Sequence, residues 1–141
     1  DSKYVTKLSL LMSKYNNLSV KITFSTPLSH KTEAGADFFL MPSRFEPCGL
    51  NQLYSMKYGT LPIVNMTGGL KDTVVDLENK EGTGFVLSPL NPENIVKAAE
   101  RAKEFYKDKE SLTEARKRAM KVDSSWKKSA EEYMEVYTSL L

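Results

Sequence analysis

The residues best suited to chemistry lie in the segment Ser43–Leu50, which reads SRFEPCGL. Its one acid, Glu46, could accept hydrogen bonds from two adjacent hydroxyls of a sugar, because a carboxylate offers several acceptor positions. Pro47 favours an extended backbone at Glu46, and Gly49 lets the chain approach a ligand closely. If a helix starts here, its unpaired backbone donors would hold sugar hydroxyls or phosphate oxygens. Those donors would be the amides of Cys48, Gly49, Leu50 and Asn51.

A second candidate segment, Thr67–Leu70, contains Gly68 and Gly69. A pair of glycines lets backbone amides approach a ligand without obstruction by side chains. Both segments follow predicted buried strands, and the carboxyl ends of adjacent parallel strands meet at one edge of a sheet. We therefore expect Thr67, Gly68 and Gly69 to share one crevice with Glu46. A simple turn at the glycines and a helix-capping role for Glu46 stay open at this point.

Other chemistries find less support in the sequence. There is neither a GxGxxG fingerprint after a strand nor a GxxxxGK[ST] loop, which disfavours a dehydrogenase and a P-loop enzyme. Cys48 and His30 could form a nucleophile and its base, but no acid stands in a recognisable orienting pattern. His30 is better interpreted as a surface or capping residue. Phe24 fits a core position, and at the end of a strand it could also stack on a nucleotide base.

The first half of the chain supplies elements that lead to these segments. Apolar residues recur at helical spacing from Tyr4 to Tyr15, and strict alternation over Leu18–Phe24 predicts a half-buried strand. Ser29 is predicted to cap a short helix. The apolar run Phe38–Met41 predicts a parallel, central strand that is covered on both faces.

The second half continues the same alternation. The sequence predicts a helix over Asn51–Tyr58 that Gly59 closes, a strand over Leu61–Val64, a loop over Met66–Leu70 and a strand over Gly84–Leu87. Further helices are predicted from Asn91, from about Glu110 to Met120, and from Ser124 or Ser125. The expected fold class is α/β, with a doubly wound, partial Rossmann-like parallel sheet and carboxyl-terminal helices.

Composition narrows the class of partner. The 141 residues fit one compact unit, and 20 basic against 18 acidic residues leave no dense basic stripe. We therefore expect no nucleic-acid partner. No apolar run approaches the ~20 residues that span a membrane, so no membrane partner is expected either. A single cysteine excludes an intramolecular disulfide and a multi-cysteine metal site. Because the chain starts without Met or a signal pattern, we expect it to derive from something longer.

Several segments taken together resemble one family, the bacterial-type glycogen synthases and plant starch synthases. The resemblance is strongest in their donor-site region and extends over most of the chain, with only the first twenty or so residues matching loosely. The matching segments are Ala36–Asp37, Met41–Leu50, Gln52–Tyr54, Lys57–Pro62 and Thr67–Thr73.

This resemblance implies a retaining glycosyltransferase of the two-domain B type. Such an enzyme moves glucose from ADP-glucose or UDP-glucose to the non-reducing end of an α-1,4-glucan, in a bacterial cytoplasm or a plastid. The implied partners are ADP-glucose or ADP, the glucan acceptor, and an amino-terminal domain that this chain lacks. No cofactor and no metal are expected. Residues 1–123 would form an incomplete nucleotide-sugar-binding domain, and residues 124–141 a terminal helix that crosses to the missing domain.

The resemblance also implies roles for individual residues. Glu46 would contact the glucose hydroxyls of the donor, Asn51 would lie near its diphosphate, and Phe24 would stack on the adenine. The amides of Cys48, Gly49 and Leu50 would hold the glucosyl and phosphate groups, while Thr67 and Gly68 would line the same pocket. The chain departs from the wider superfamily at Tyr54, where a second glutamate is frequent, so Glu46 is the sole acid of the motif.

The isolated chain is expected to be inactive, because the cationic residues that grip the diphosphate are also missing. One alternative is a free-standing module that binds a nucleotide sugar or a glucan without catalysis. Another is a non-catalytic piece whose exposed terminal helix recruits a partner.

Overall fold

A computed structural model describes residues 2–140 as seven helices and three strands. The strands are β1 Phe38–Met41, β2 Leu61–Asn65 and β3 Phe85–Leu87. The helices are α1 Ser2–Lys14, α2 Thr26–Gly35, α3 Asn51–Tyr58, α4 Gly68–Thr73, α5 Pro92–Phe105, α6 Lys109–Lys121 and α7 Trp126–Ser139. Asp1 and Leu141, the outermost residues of the two predicted units, lie outside the described residues.

The three strands form one parallel sheet in the order β1-β2-β3. Phe38 pairs with Leu61, and Ile63 pairs with Phe85. The predicted parallel sheet is therefore confirmed, but the prediction that β1 is central is wrong. Every residue of β2 is buried, whereas Leu40 in β1 is 46% exposed. The predicted cover on both faces of β1 is wrong as well, since none of its four residues is fully buried. An apolar run does not show how many strands or helices flank a strand, and β2 takes the central place.

Helices cover both faces of the sheet. On one face Leu61 packs with α3 and α6, and Ile63 packs with α5. On the other face Val64 packs with Leu70 and Val74, which belong to α4 and its end. Successive residues of a strand point to opposite faces, so the short apolar strand β2 contributes to both layers. This arrangement confirms the doubly wound α/β class.

The predicted strand over Leu18–Phe24 is wrong, because the structure has irregular backbone there. An alternating pattern makes a strand only when a neighbouring strand supplies backbone hydrogen bonds, and within residues 2–140 no strand lies beside this segment. Three of its four apolar side chains are exposed, Leu18 the least and Phe24 the most.

Helix α2 begins earlier than predicted. Ser25 caps it by accepting a hydrogen bond from the amide of Leu28, and Pro27 lies in the first turn, where a missing N–H costs little. The predicted cap, Ser29, lies inside the helix and donates to Oε1 of Glu33 at 3.2 Å. The predicted loop over Met66–Leu70 is likewise shorter, since α4 begins at Gly68.

The remaining helix boundaries agree with the sequence. Helix α3 ends at Gly59, whose positive φ of 80° suits glycine, and Asn91 caps α5 by accepting from the amide of Asn94. Ser125 caps α7, as predicted. Helices α1 and α7 contain no buried residue among those described. None of the helices within residues 2–140 combines the length and apolar character needed to cross a membrane.

Candidate functional site

Two loops meet at the carboxyl edge of the sheet. The Glu46 loop, residues 43–50, runs from β1 to α3. The glycine loop, Met66–Leu70, consists of the two residues after β2 and the first three residues of α4. The amide of Gly69 lies 3.2 Å from the carbonyl oxygens of both Glu46 and Pro47 and donates to them. The structure thus brings the two predicted segments into direct backbone contact.

The two glycines are required by this contact. A Cβ added at Gly68 would overlap the carbonyl oxygen of Glu46, and one added at Gly69 would lie 2.6 Å from Cα of Cys48. Gly68 also has a positive φ of 43°. The structure shows that these glycines let one loop lie against the other, and their predicted approach to a ligand stays a prediction.

Gln52 fixes the far end of the Glu46 loop. This side chain is fully buried, and its Nε2 lies 3.0 Å from the carbonyl oxygens of Cys48 and Gly49. Nε2 also lies 3.2 Å from Oγ1 of Thr73, which in turn donates to the carbonyl of Gly69. The side chains of Gln52 and Thr73 therefore bridge the two loops. Sequence reasoning assigned neither a role, although a glutamine on the inner face of α3 is a signal that could have shown one.

Asn65 fixes the near end of the Glu46 loop. It is the last residue of β2 and is 8% exposed, and its Nδ2 donates to the carbonyl of Ser43 at 2.9 Å. No role was predicted for Asn65 from the sequence either. Its signal was a polar side chain directly after the apolar run Leu61–Val64, since a buried amide needs a partner.

The carboxylate of Glu46 differs from the polar side chains around it. Glu46 is half-buried, and within the described part of the chain its carboxylate accepts no hydrogen bond. Helix α3 starts five residues further along the chain at Asn51, and Leu50 occupies the cap position without a side-chain hydrogen bond. The helix start is therefore left with unpaired amide donors, as the sequence predicted.

A neighbouring cleft of about 810 Å³ contains two further predicted site residues. The cleft is lined by Phe24 and other residues of the irregular segment 19–25, by residues of α2, and by Asn51 and Tyr54 of α3. The ring of Phe24 is 96% exposed, so the core interpretation of this residue is wrong. The cleft brings Phe24 and Asn51 together, whereas the two loops bring together Glu46, Cys48, Gly49, Gly68 and Gly69.

His30 lies at the same cleft without joining Cys48. Its ring centroid is 5.1 Å from that of Tyr54, and its Nδ1 is 3.6 Å from Oε2 of the buried Glu33. Cys48 is exposed, and its Sγ lies 3.5 Å from the carbonyl of Gly49. Over residues 2–140 no group of three or more His, Cys, Asp or Glu side chains could hold a metal ion.

Comparison with known proteins adds a family and its members. A family model described as glycosyl transferases group 1 matches residues 1–122. The glycogen synthase of Fervidobacterium nodosum is 47% identical over 140 residues, which cover 97% of this chain and 29% of the relative. The glycogen synthase of Nitrosospira multiformis is 51% identical over 129 residues, which cover 88% of this chain and 26% of the relative.

A solved structure is similar in fold as well as in sequence. It is the catalytic domain of starch synthase IV from Arabidopsis thaliana bound to ADP and acarbose. The TM-score is 0.85 at 31% identity, and the match covers 97% of this chain and 29% of that one. The chain thus spans less than a third of the length of the proteins that it matches.

Proposed function

Because the chain belongs to the glycosyl transferases group 1 family, we propose that its parent protein is a retaining glucosyltransferase of glycogen or starch synthesis. The parent moves glucose from ADP-glucose to the non-reducing end of an α-1,4-glucan, in a bacterial cytoplasm or a plastid. One observation carries this proposal: Glu46, whose carboxylate accepts no hydrogen bond from the described residues, lies in the loop that leads into α3, and the start of α3 has no side-chain cap. The glycogen synthases among the relatives support the same reaction.

The Glu46 loop provides the contacts to the transferred sugar. Glu46 accepts hydrogen bonds from the glucose hydroxyls, and the amides of Cys48, Gly49 and Leu50 donate to the glucosyl and phosphate groups. Asn51 lies near the diphosphate, at the positive end of the α3 dipole. Negative charge grows on the diphosphate as it leaves, so fixed amide donors at this point stabilise the transition state more than the bound substrate.

The remaining predicted residues hold the nucleotide and close the pocket. Phe24 stacks on the adenine, and its exposed ring on the cleft that Asn51 also lines supports this role. Thr67, Gly68 and Gly69 line the pocket through their backbone. The starch synthase IV structure with a similar fold was solved bound to ADP, which supports a nucleotide as a ligand of the parent protein.

The chain divides into a nucleotide-sugar-binding unit, residues 1–123, and a terminal helix, residues 124–141, that crosses to the amino-terminal domain of the parent. The exposed face of α7 supports this division, since Trp126 is 90% exposed and no residue of the helix is buried. The isolated chain does not transfer glucose, because the donor needs groups from both domains to be positioned.

The test is glucose transfer by the parent protein with ADP-glucose, UDP-glucose and a glucan primer. We expect transfer from ADP-glucose, and a fall of about 100-fold or more in kcat for Glu46→Ala. A Glu46→Ala variant with near-normal turnover would refute the assigned role.

A binding module without catalysis is the second candidate function, and the 810 Å³ cleft formed by this chain alone favours it. Calorimetric titration of the isolated chain with ADP and ADP-glucose separates the two candidates. Saturable binding together with a parent that transfers no glucose would favour the module. Transfer by the parent supports the enzyme, whether or not the fragment binds.

A further inference from the structure

We infer that Asn65 is a positioning residue for Glu46, acting through the backbone of Ser43. The inference rests on the proposed function, in which the carboxylate of Glu46 contacts the donor sugar. In this proposal Asn65 does not contact the substrate. It acts by holding the backbone of Ser43, and with it the loop that carries Glu46, in a fixed position.

The segment between β1 and Glu46 has little else to hold it. Strand pairing ends at Met41, which pairs with Val64, and the next backbone anchor is the bond from Gly69 to the carbonyl of Glu46. Between these points, in the part of the chain that the structure describes, the bond from Asn65 to Ser43 is the hydrogen bond that fixes the loop. Without it, the residues leading to Glu46 would be held at their ends alone.

Asn65 is itself firmly placed. It ends the central strand, where its backbone pairs with Leu87 of β3, and the following amide of Met66 donates to the carbonyl of Leu87 at 3.0 Å. The hydrogen bond from the Asn65 side chain therefore ties the loop to a fixed point at the end of the sheet. The residues before it in β2 are apolar or proline, so an amide in this buried place is explained by the bond it makes.

The opposite end of the loop is held independently. Gln52 holds the carbonyls of Cys48 and Gly49, and Gly69 holds that of Pro47. Glu46 thus sits between two fixed stretches of backbone while its carboxylate accepts no bond from the described protein groups. This is the arrangement that a substrate-binding carboxylate needs, because its reach is fixed while its acceptor oxygens stay available.

The test uses the full-length parent with Asn65→Ala and Asn65→Asp, the second of which keeps the shape and loses the donor. We expect kcat with ADP-glucose to fall roughly 10- to 100-fold, because small misplacement of a contact group has effects of this size. The KM for ADP-glucose should change much less, since Phe24 and Asn51, which contact the nucleotide in the proposed function, lie outside the loop.

A double-mutant cycle with Glu46→Gln shows whether Asn65 acts through Glu46. If it does, adding Asn65→Ala to Glu46→Gln lowers kcat by less than about twofold, because the misplaced group has already lost its function. Full additivity of the two effects would overturn the inference. Unfolding of both Asn65 variants, measured by circular dichroism, would make Asn65 a purely structural residue and would overturn it too.

Asn94 provides the matched control. Its Nδ2 also donates to a backbone carbonyl, that of Pro89 at 2.8 Å, at the start of α5. Asn94→Ala should leave kcat within about twofold of the unchanged parent, and an equal loss in both variants would contradict a special role for Asn65. A wild-type parent that transfers no glucose would refute the proposed function instead, so the two failures are distinguishable.

Discussion

The amide of Gly69 donates a hydrogen bond to the carbonyl oxygen of Glu46, and the two atoms are 3.2 Å apart. This bond joins the loop after β2 to the loop after β1, so the candidate catalytic residue is held by the neighbouring strand as well as by its own. The two loops are therefore joined, and a substitution that displaces one of them should also displace the other.

The first prediction concerns the glycine of closest approach. Gly68→Ala should lower the free energy of unfolding by about 2 to 4 kcal/mol, because the new Cβ would overlap the carbonyl oxygen of Glu46 at a positive φ. Urea denaturation of the chain measures the effect. Gly35→Ala is the matched control, since a Cβ there meets no atom within 4 Å. Equal stability of Gly68→Ala and the unchanged chain would contradict the observed loop contact.

The second prediction concerns the buried amide that bridges the loops. Gln52→Leu removes the donor that serves Cys48, Gly49 and Thr73, and it leaves their partly buried oxygen atoms without this partner. We expect a loss of about 2 to 3 kcal/mol in the free energy of unfolding.

A smaller change in the same bridge provides its control. Thr73→Val should cost about 1 kcal/mol, and it should cost less when Gln52 is already replaced, because the two side chains share one bond. Thr113→Val removes an exposed bond to the carbonyl of Lys109 and should have almost no effect. Equal losses at Thr73 and Thr113 would argue against a bridge between the loops.

The third prediction is a pH dependence at Asp76. Partial burial raises the pKa of this carboxyl. Hydrogen bonds from Arg101 and from the amides of Val86 and Glu78 lower the pKa by more than burial raises it, so the net shift is downward from 3.8. A lowered folded-state pKa stabilises the fold above the unfolded-state pKa, and that stability is lost as pH falls through the folded-state pKa. The loss should therefore develop below about pH 4.

Asp76→Asn isolates this contribution from other acids. At pH 7 the variant should be less stable by about 1 kcal/mol, and the difference from the unchanged chain should shrink as pH falls below 4. Asp108, Glu114 and Asp123 also have lowered pKa values from local hydrogen bonds, and they titrate equally in both chains. A difference that stays constant down to pH 2 would contradict an ionised Asp76 as its source.

The fourth prediction separates stacking from packing at Phe24. Because the ring is 96% exposed, Phe24→Ala should leave the stability of the chain unchanged within about 0.5 kcal/mol. In the parent protein the same change should raise the Kd for ADP about 5- to 30-fold, since a stacked base is lost, while Phe24→Tyr should keep the affinity. Ile22→Ala, at a residue 63% exposed on the same segment, is the control. Unchanged ADP affinity in Phe24→Ala would refute the stacking role.

Much of this arrangement could be predicted from the sequence, because its signals are local. The cap at Asn91, the closing glycine at Gly59 and the strand beginning at Leu61 each depend on a few neighbouring residues. The predicted strand over Leu18–Phe24 failed for a non-local reason, since strand formation depends on a partner that no alternation within the segment can reveal.

The candidate site also contains residues with local signals and residues whose roles depend on distant partners. Glu46 and the glycines could be proposed as site residues because each segment directly follows a predicted buried strand. Gln52 and Asn65 could not be given their roles, because each depends on which carbonyl the fold brings opposite the side chain. The spacing of residues along the chain does not show which backbone carbonyl a side chain from another element will contact.

The last prediction concerns α7. Ending the chain after Ser125 should change its free energy of unfolding by less than about 0.5 kcal/mol, because α7 contains no buried residue and its removal exposes no core surface. Urea denaturation with matched chains measures this. Ending the chain before α6 should abolish folding, since Leu112, Ala115 and Ala119 are buried against Met56 and Leu61.

In the full-length parent, by contrast, Trp126→Ala should lower the melting temperature, because the proposed crossing helix would there be covered. A parent that tolerates Trp126→Ala as well as the isolated chain does would contradict the crossing helix and leave the core assignment of α6 intact.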